Sequence, residues 1–132
     1  MTNRDRIDRG MGYLAIGLGP FVNEQMTAAF PGGEDWVTKL AARNPARYVA
    51  ARRYSRSDPR FLLRVVTDEW RVFKDRFSRV QQGYAAELRD AGDRWAHREP
   101  LSDEDTHRTL DTIERLLTAA QRPVRLPHRG DM

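Results

Sequence analysis

The sequence predicts an all-α protein, and three observations carry that prediction. Apolar residues return every three or four positions along most of the 132 residues, the period of a helix with one buried face. Capping residues, glycines and prolines punctuate these stretches. No segment alternates convincingly between apolar and polar residues, as a half-buried strand does. The expected architecture is a bundle of four main helices with shorter helices packed outside. It forms a single domain over residues 1–120, followed by a loosely ordered tail over 121–132.

Each element has its own signal. Ile7, Met11, Leu14 and Leu18 form the first stripe, and Gly19-Pro20 is expected to break or kink it, since proline removes a backbone donor and crowds the preceding turn. Phe21, Val22, Met26 and Phe30 carry a second segment, which Pro31-Gly32-Gly33 ends. Asp35 is placed to cap a short helix from Trp36 to Arg43, and Asn44-Pro45 opens another from Ala46 to Tyr54 by joining a cap to a first-turn proline. Asp58-Pro59 is the clearest start, after which Leu62, Val66, Trp70, Phe73 and Phe77 line one face over about four turns. Ser78 marks a junction to Val80, Tyr84, Leu88 and Ala91, in a helix weakened by Gly83 and Gly92 and ended near Pro100. Ser102 with Asp105 resembles a capping box, with Asp103 and Glu104 in the first turn. Leu110, Ile113, Leu117 and Ala120 make the last core stripe.

Composition narrows the function classes. Hydrophobic residues are 39% and charged residues 32%, which is polar, yet the helical periodicity argues against a disordered chain. There are no cysteines, which excludes disulfides and thiolate metal sites. A net charge of +4 favours an anionic partner. Lys39 and Lys74 are the only lysines among 23 basic residues. That arginine excess has two readings: guanidinium forks suited to phosphate, or codon usage in a GC-rich genome. No long apolar run appears, so no membrane partner is expected and the cytoplasm is the expected location.

Candidate chemistry concentrates between Asp93 and Leu101. A histidine carries a proton near neutral pH and an arginine holds a phosphate. Arg94 and Asp93 lie three and four residues before His97 and share its helix face, while Arg89 lies about two turns back. The alternative is that His97 simply caps the C-terminus of its helix, where a cation is favoured. A second cluster joins Arg43, Arg47, Arg52, Arg53, Arg56, Arg60 and Arg64, interleaved with Tyr48 and Tyr54 and near only one acid, Asp58. It reads as a backbone-binding stripe with stacking partners, or as a solvated surface paired with Asp103, Glu104 and Asp105. Arg89, Arg52, Arg53 and Arg56 are the nucleic-acid-binding candidates. Trp36, Trp70 and Trp95 suit core or interface positions. Trp95, Arg108 and Asp111 are candidate supports for His97, with a surface ion pair as the other reading of the last two. His107 is expected to be exposed. Histidines as dispersed as His97, His107 and His128 argue against a metal site, and no cofactor is expected.

The string Glu87-Leu88-Arg89-Asp90-Ala91-Gly92-Asp93-Arg94-Trp95-Ala96-His97, then Pro100-Leu101-Ser102, then Asp105 to Asp111 and Arg115-Leu116-Leu117, resembles the HEPN superfamily. It is most similar to the Swt-like branch, whose domains carry a Trp-Ala-His box followed by an Asp-Thr-x-Arg-x-Leu-Asp helix. Gly17 to Met26 is similar to that branch's opening helix, and Asp58-Pro59, Leu62-Leu63 and Trp70 fit its middle. The likeness covers residues 5–120. It implies a bundle of four to five helices that pairs as a homodimer. HEPN ribonucleases cut RNA without metal in the dimer cleft, using an arginine, a polar residue, and a histidine four to six residues after the arginine. Members occur in RNA quality control and prokaryotic conflict systems, often fused to ATPases or nucleases, and some are inactive modules. The family's histidine carries over to His97 and its polar residue to Asp93. Its arginine position, five residues before His97, is Gly92.

The leading expectation is an RNA-directed HEPN-type protein, a metal-independent endoribonuclease of RNA processing or defence. His97 is the expected proton-transfer group, Arg94 the phosphate contact and Asp93 the orienter. RNA, a second copy of the chain, and an ATPase or nuclease are the expected partners. The alternatives are an inactive module for dimerisation or partner binding, and a DNA-binding bundle using the arginine-rich segment.

Overall fold

The computed structural model of the chain describes residues 1–33, 35–48 and 56–122. All regular structure among them is helical: α1 (Asn3–Ala29), α2 (Trp36–Arg43), α3 (Pro45–Tyr48), α4 (Pro59–Asp68), α5 (Trp70–Phe73), α6 (Arg79–Ala96) and α7 (Asp103–Gln121). The long helices form a closed ring in which α1 packs on α4, α4 on α6, α6 on α7 and α7 back on α1. The core inside this ring holds Met11, Leu14, Leu18, Val22, Leu62, Leu63, Leu88 and Leu116.

Local chemistry sets the helix starts. Thr2 and Asp5 form a reciprocal capping box at α1, and Ser78 and Gln81 form another at α6, each satisfying backbone donors that the first turn leaves free. Asp35, Asp58 and Ser102 cap α2, α4 and α7 through their side-chain oxygens. The segment expected from Ala46 to Tyr54 begins as α3, and residues 49–55 lie outside the described ones. The tail from Pro123 onward also lies outside them.

Four expectations are corrected. Gly19-Pro20 does not end the first helix, which continues through Pro20 to Ala29. Pro20 is on the solvent face and the residue four before it, Ile16, is 74% exposed. The carbonyl that proline leaves without a donor can therefore be hydrated, while Leu18, Phe21 and Val22 stay buried. The segment after Asp58-Pro59 is not one helix to Phe77: α4 stops at Asp68, and Glu69 leaves helical geometry at φ −105° and ψ 42°. The face still assembles, because Phe73 and Phe77 are buried and Trp70 stacks on Phe77 at 6.4 Å. Third, α7 buries Thr106, Thr109, Thr112, Ile113, Leu116, Ala119 and Ala120, while Leu110 and Leu117 are only partly covered. Thr106 can be buried because its hydroxyl donates to the Ser102 carbonyl, and Thr112 because its one hydroxyl hydrogen is shared between the Arg108 carbonyl and the Glu87 carboxylate. Val80, expected on the core face of α6, is 64% exposed. Among the described residues no helix is long and apolar enough to cross a membrane.

Candidate functional site

The end of α6 is a tightly determined turn. Arg98 takes φ 59°, its N–H donates to the Trp95 carbonyl, and the Glu99 N–H donates to the Arg94 carbonyl. These are the bonds of a Schellman motif, with arginine where glycine is usual. His97 is the C-cap residue, as the capping reading has it, and its ring is exposed. Its Nδ1 lies 2.7 Å from the main-chain carbonyl of Asp93. A carbonyl oxygen only accepts, so Nδ1 carries the hydrogen and Nε2 of the neutral ring is left as a base.

Asp93 therefore orients His97 through its backbone, not its carboxylate. The carboxylate accepts from Arg60 Nη2 at 2.9 Å across the α4–α6 interface. Arg94 is held by two acids, with Nη2 3.3 Å from Asp105 and Nε 3.2 Å from Glu99. Hydrogen bonding to Asp105 first, then to Glu99, raises its pKa further. Arg89 donates from Nη1 to Thr67 Oγ1 and to Asp68, both at 2.8 Å. Trp95 bonds Asp8 through its indole N–H, and its carbonyl accepts from Arg4 at 2.9 Å, which fastens the end of α6 to α1.

The structure separates some predicted site residues. Arg108 does not pair with Asp111: it grips Glu87 with Nε at 2.9 Å and Nη2 at 2.8 Å, while Asp111 accepts from Arg115 at 2.8 Å. Both act between or along α6 and α7. The described arginines of the arginine-rich segment are paired, but with other acids than Asp103, Glu104 and Asp105. Arg43 bonds Glu69, Arg56 bonds Asp35, and Arg47 and Arg64 lie 4.0 and 3.9 Å from Asp68. Arg56 also lies over the Trp36 ring at 5.6 Å. Tyr48 is not a stacking platform: it is buried, and its hydroxyl donates to Glu69 at 2.9 Å. Burial, and then that bond to a carboxylate, push its pKa far up. Arg52, Arg53, Tyr54 and His128 lie outside the described residues.

What the structure brings together is a cleft between α4 and α6 lined by Arg60, Phe61, Arg64, Arg89 and Asp93, with a volume of about 100 Å³. Arg89, Asp93 and His97 follow one another at four-residue spacing on α6, so the imidazole stands one turn beyond the cleft. Sequence reasoning counted Arg60 and Arg64 in the arginine run but did not join them to the box around His97. Their own four-residue spacing, matching that of Arg89 and Asp93, was the available signal. Gly92 is buried, and a Cβ there would lie 3.0 Å from Met11 Cε and 3.5 Å from Arg60 Cγ. The position where the family carries arginine thus faces the packed interior in this chain.

A family model described as Swt1-like HEPN matches residues 9–121. Comparison with curated proteins and with solved structures found no match.

Proposed function

The chain belongs to the Swt1-like HEPN family, and from that premise we propose that it acts on RNA as an endoribonuclease needing no metal. The observation that carries the reading is the exposed His97 ring, anchored at Nδ1 with Nε2 open, one turn from a cleft lined by three arginines. In the proposed reaction a base takes the proton of a 2′-hydroxyl and the 2′-oxygen bonds to phosphorus. The bond to the 5′-oxygen breaks and that oxygen takes a proton. The products are a 2′,3′-cyclic phosphate and a 5′-hydroxyl end. An imidazole serves both proton steps, and pairing of two chains supplies a second His97. Guanidinium groups stabilise the charge that develops at phosphorus. The phosphate contact is made by Arg60, Arg64 and Arg89, which line the cleft, and Arg94 does not line it.

The test is cleavage of single-stranded RNA in excess chelator. Wild type is expected to cleave, and His97→Ala to lose at least about a hundredfold, the typical worth of a general acid–base group. Equal rates overturn the assignment of His97. A second reading, a non-catalytic module that binds RNA, a second copy or a partner protein such as an ATPase or nuclease, is favoured by one observation: a buried glycine, tight against Met11, stands where the family carries arginine. RNA binding without cleavage by wild type selects it.

A further inference from the structure

We propose that the α4–α6 cleft is a pocket for a single phosphate group, held by Arg60, Arg64 and Arg89 and shielded by Asp93. Its volume of about 100 Å³ has room for one tetrahedral oxyanion. The lining supplies charge of the right sign. Among the described residues, the side-chain ion pairs of Arg60, Arg64 and Arg89, with Arg47 behind them, are made to two carboxylates, Asp68 and Asp93, so these four cations outnumber their paired acids by two.

Two details point to an anion rather than to a finished ion-pair network. Arg60 Nε is buried with no acceptor among the described residues, and a buried donor without a partner is costly. Arg64 meets Asp68 only at 3.9 Å, so its fork is loosely held. Asp93, whose side chain is 54% exposed, bonds Arg60 Nη2 at 2.9 Å from the open side. Its carboxylate is a singly charged acceptor standing where a phosphate oxygen would stand. A phosphate brings more oxygens and more charge to the same forks, so it displaces Asp93 from Arg60. Asp93 is thus a competitor at the pocket, and removing its charge strengthens binding while removing Arg60 weakens it.

This inference deepens the RNA reading by naming the recognised group, and it rests on that reading only for the source of the phosphate. Inorganic phosphate is titrated into the 132-residue chain at constant ionic strength and followed by backbone amide shifts. Saturable binding is expected, about tenfold weaker in Arg60→Gln and about tenfold tighter in Asp93→Asn, the scale of one charged hydrogen bond. Unchanged affinity in both variants, weaker binding in Asp93→Asn, or no saturable binding by wild type overturns the pocket. Oligoribonucleotides with and without a terminal phosphate then separate the sources. An Arg60-dependent preference for the phosphorylated end assigns a terminal phosphate, and equal Arg60-dependent affinity assigns an internal phosphodiester. No cleavage is read in these measurements. Loss of the ribonuclease reading would leave phosphate binding in place, and loss of the pocket would leave His97-dependent cleavage in place.

Discussion

Arg98 holds φ at 59°, a region that costs an L-residue about 1–2 kcal/mol, and it does so directly after His97. Glycine adopts that geometry freely, at some cost in unfolded-chain entropy. Arg98→Gly is therefore expected to stabilise the protein by about 0.5–1 kcal/mol, read as a higher urea midpoint with an unchanged slope. A lower midpoint would mean that the Arg98 side chain makes a contribution larger than its backbone strain. Glu87 offers a second test at this scale. The hydrogen bond from Arg108 holds its carboxyl below the usual range, burial opposes this, and the Thr112 hydroxyl adds to the lowering. A depressed folded-state pKa contributes stability above the unfolded value, near 4.3 for glutamate, and that stability is lost as pH falls through the folded value. The side chain is 39% exposed, so water screening keeps the contribution to about 1 kcal/mol at pH 7. Glu87→Gln is expected to cost that much at pH 7, with the gap to wild type closing on acidification in paired denaturation curves. A gap that persists at low pH would assign the effect to something other than the carboxylate charge.

At the scale of the helix, α6 carries two glycines with opposite meanings. Gly83 is exposed and a Cβ there meets nothing within 4 Å, so Gly83→Ala is expected to stabilise by about 1 kcal/mol through helix propensity alone. Gly92 packs against Met11 and Arg60. An arginine at that position overfills the α1–α4–α6 junction, so Gly92→Arg is expected to destabilise by about 1–3 kcal/mol. Thermal unfolding of the two variants beside wild type checks both signs, and a Gly92→Arg protein as stable as wild type would show that the junction has room. The sequence distinguished neither, because both glycines interrupt the same periodic stretch. Helix starts were readable at the caps Asp35, Asp58 and Ser102, while the capping box of Thr2 with Asp5 went unread. The stop after Asp68 was not readable. No glycine or proline marks it, and Glu69 is held by Arg43 and by Tyr48, residues distant in sequence. The core face of α7 was read in part: Ile113 and Ala120 are buried as expected, but the buried threonines were missed, because they look polar until their hydroxyls are seen bonded back to the helix.

At the scale of the whole molecule, the ring of α1, α4, α6 and α7 determines which charges meet. The box ending at His97 was legible, since it lies within one helix. The cleft was not, since it exists only where α4 sets Arg60 and Arg64 against Arg89 and Asp93 of α6. Packing also reassigned the arginines that the sequence left unpaired: Arg43, Arg47, Arg56 and Arg64 pair with Glu69, Asp68 and Asp35. Among the described residues, the cleft that this packing leaves between α4 and α6 is the proposed anion site. The most direct measurement of the central claim is the chemistry of the product ends. RNA incubated with the protein in chelator is expected to yield 2′,3′-cyclic phosphate and 5′-hydroxyl ends, and 2′-O-methylated RNA to stay intact. Cleavage of the methylated RNA, or an absence of cleavage by the folded wild-type chain, would contradict the account.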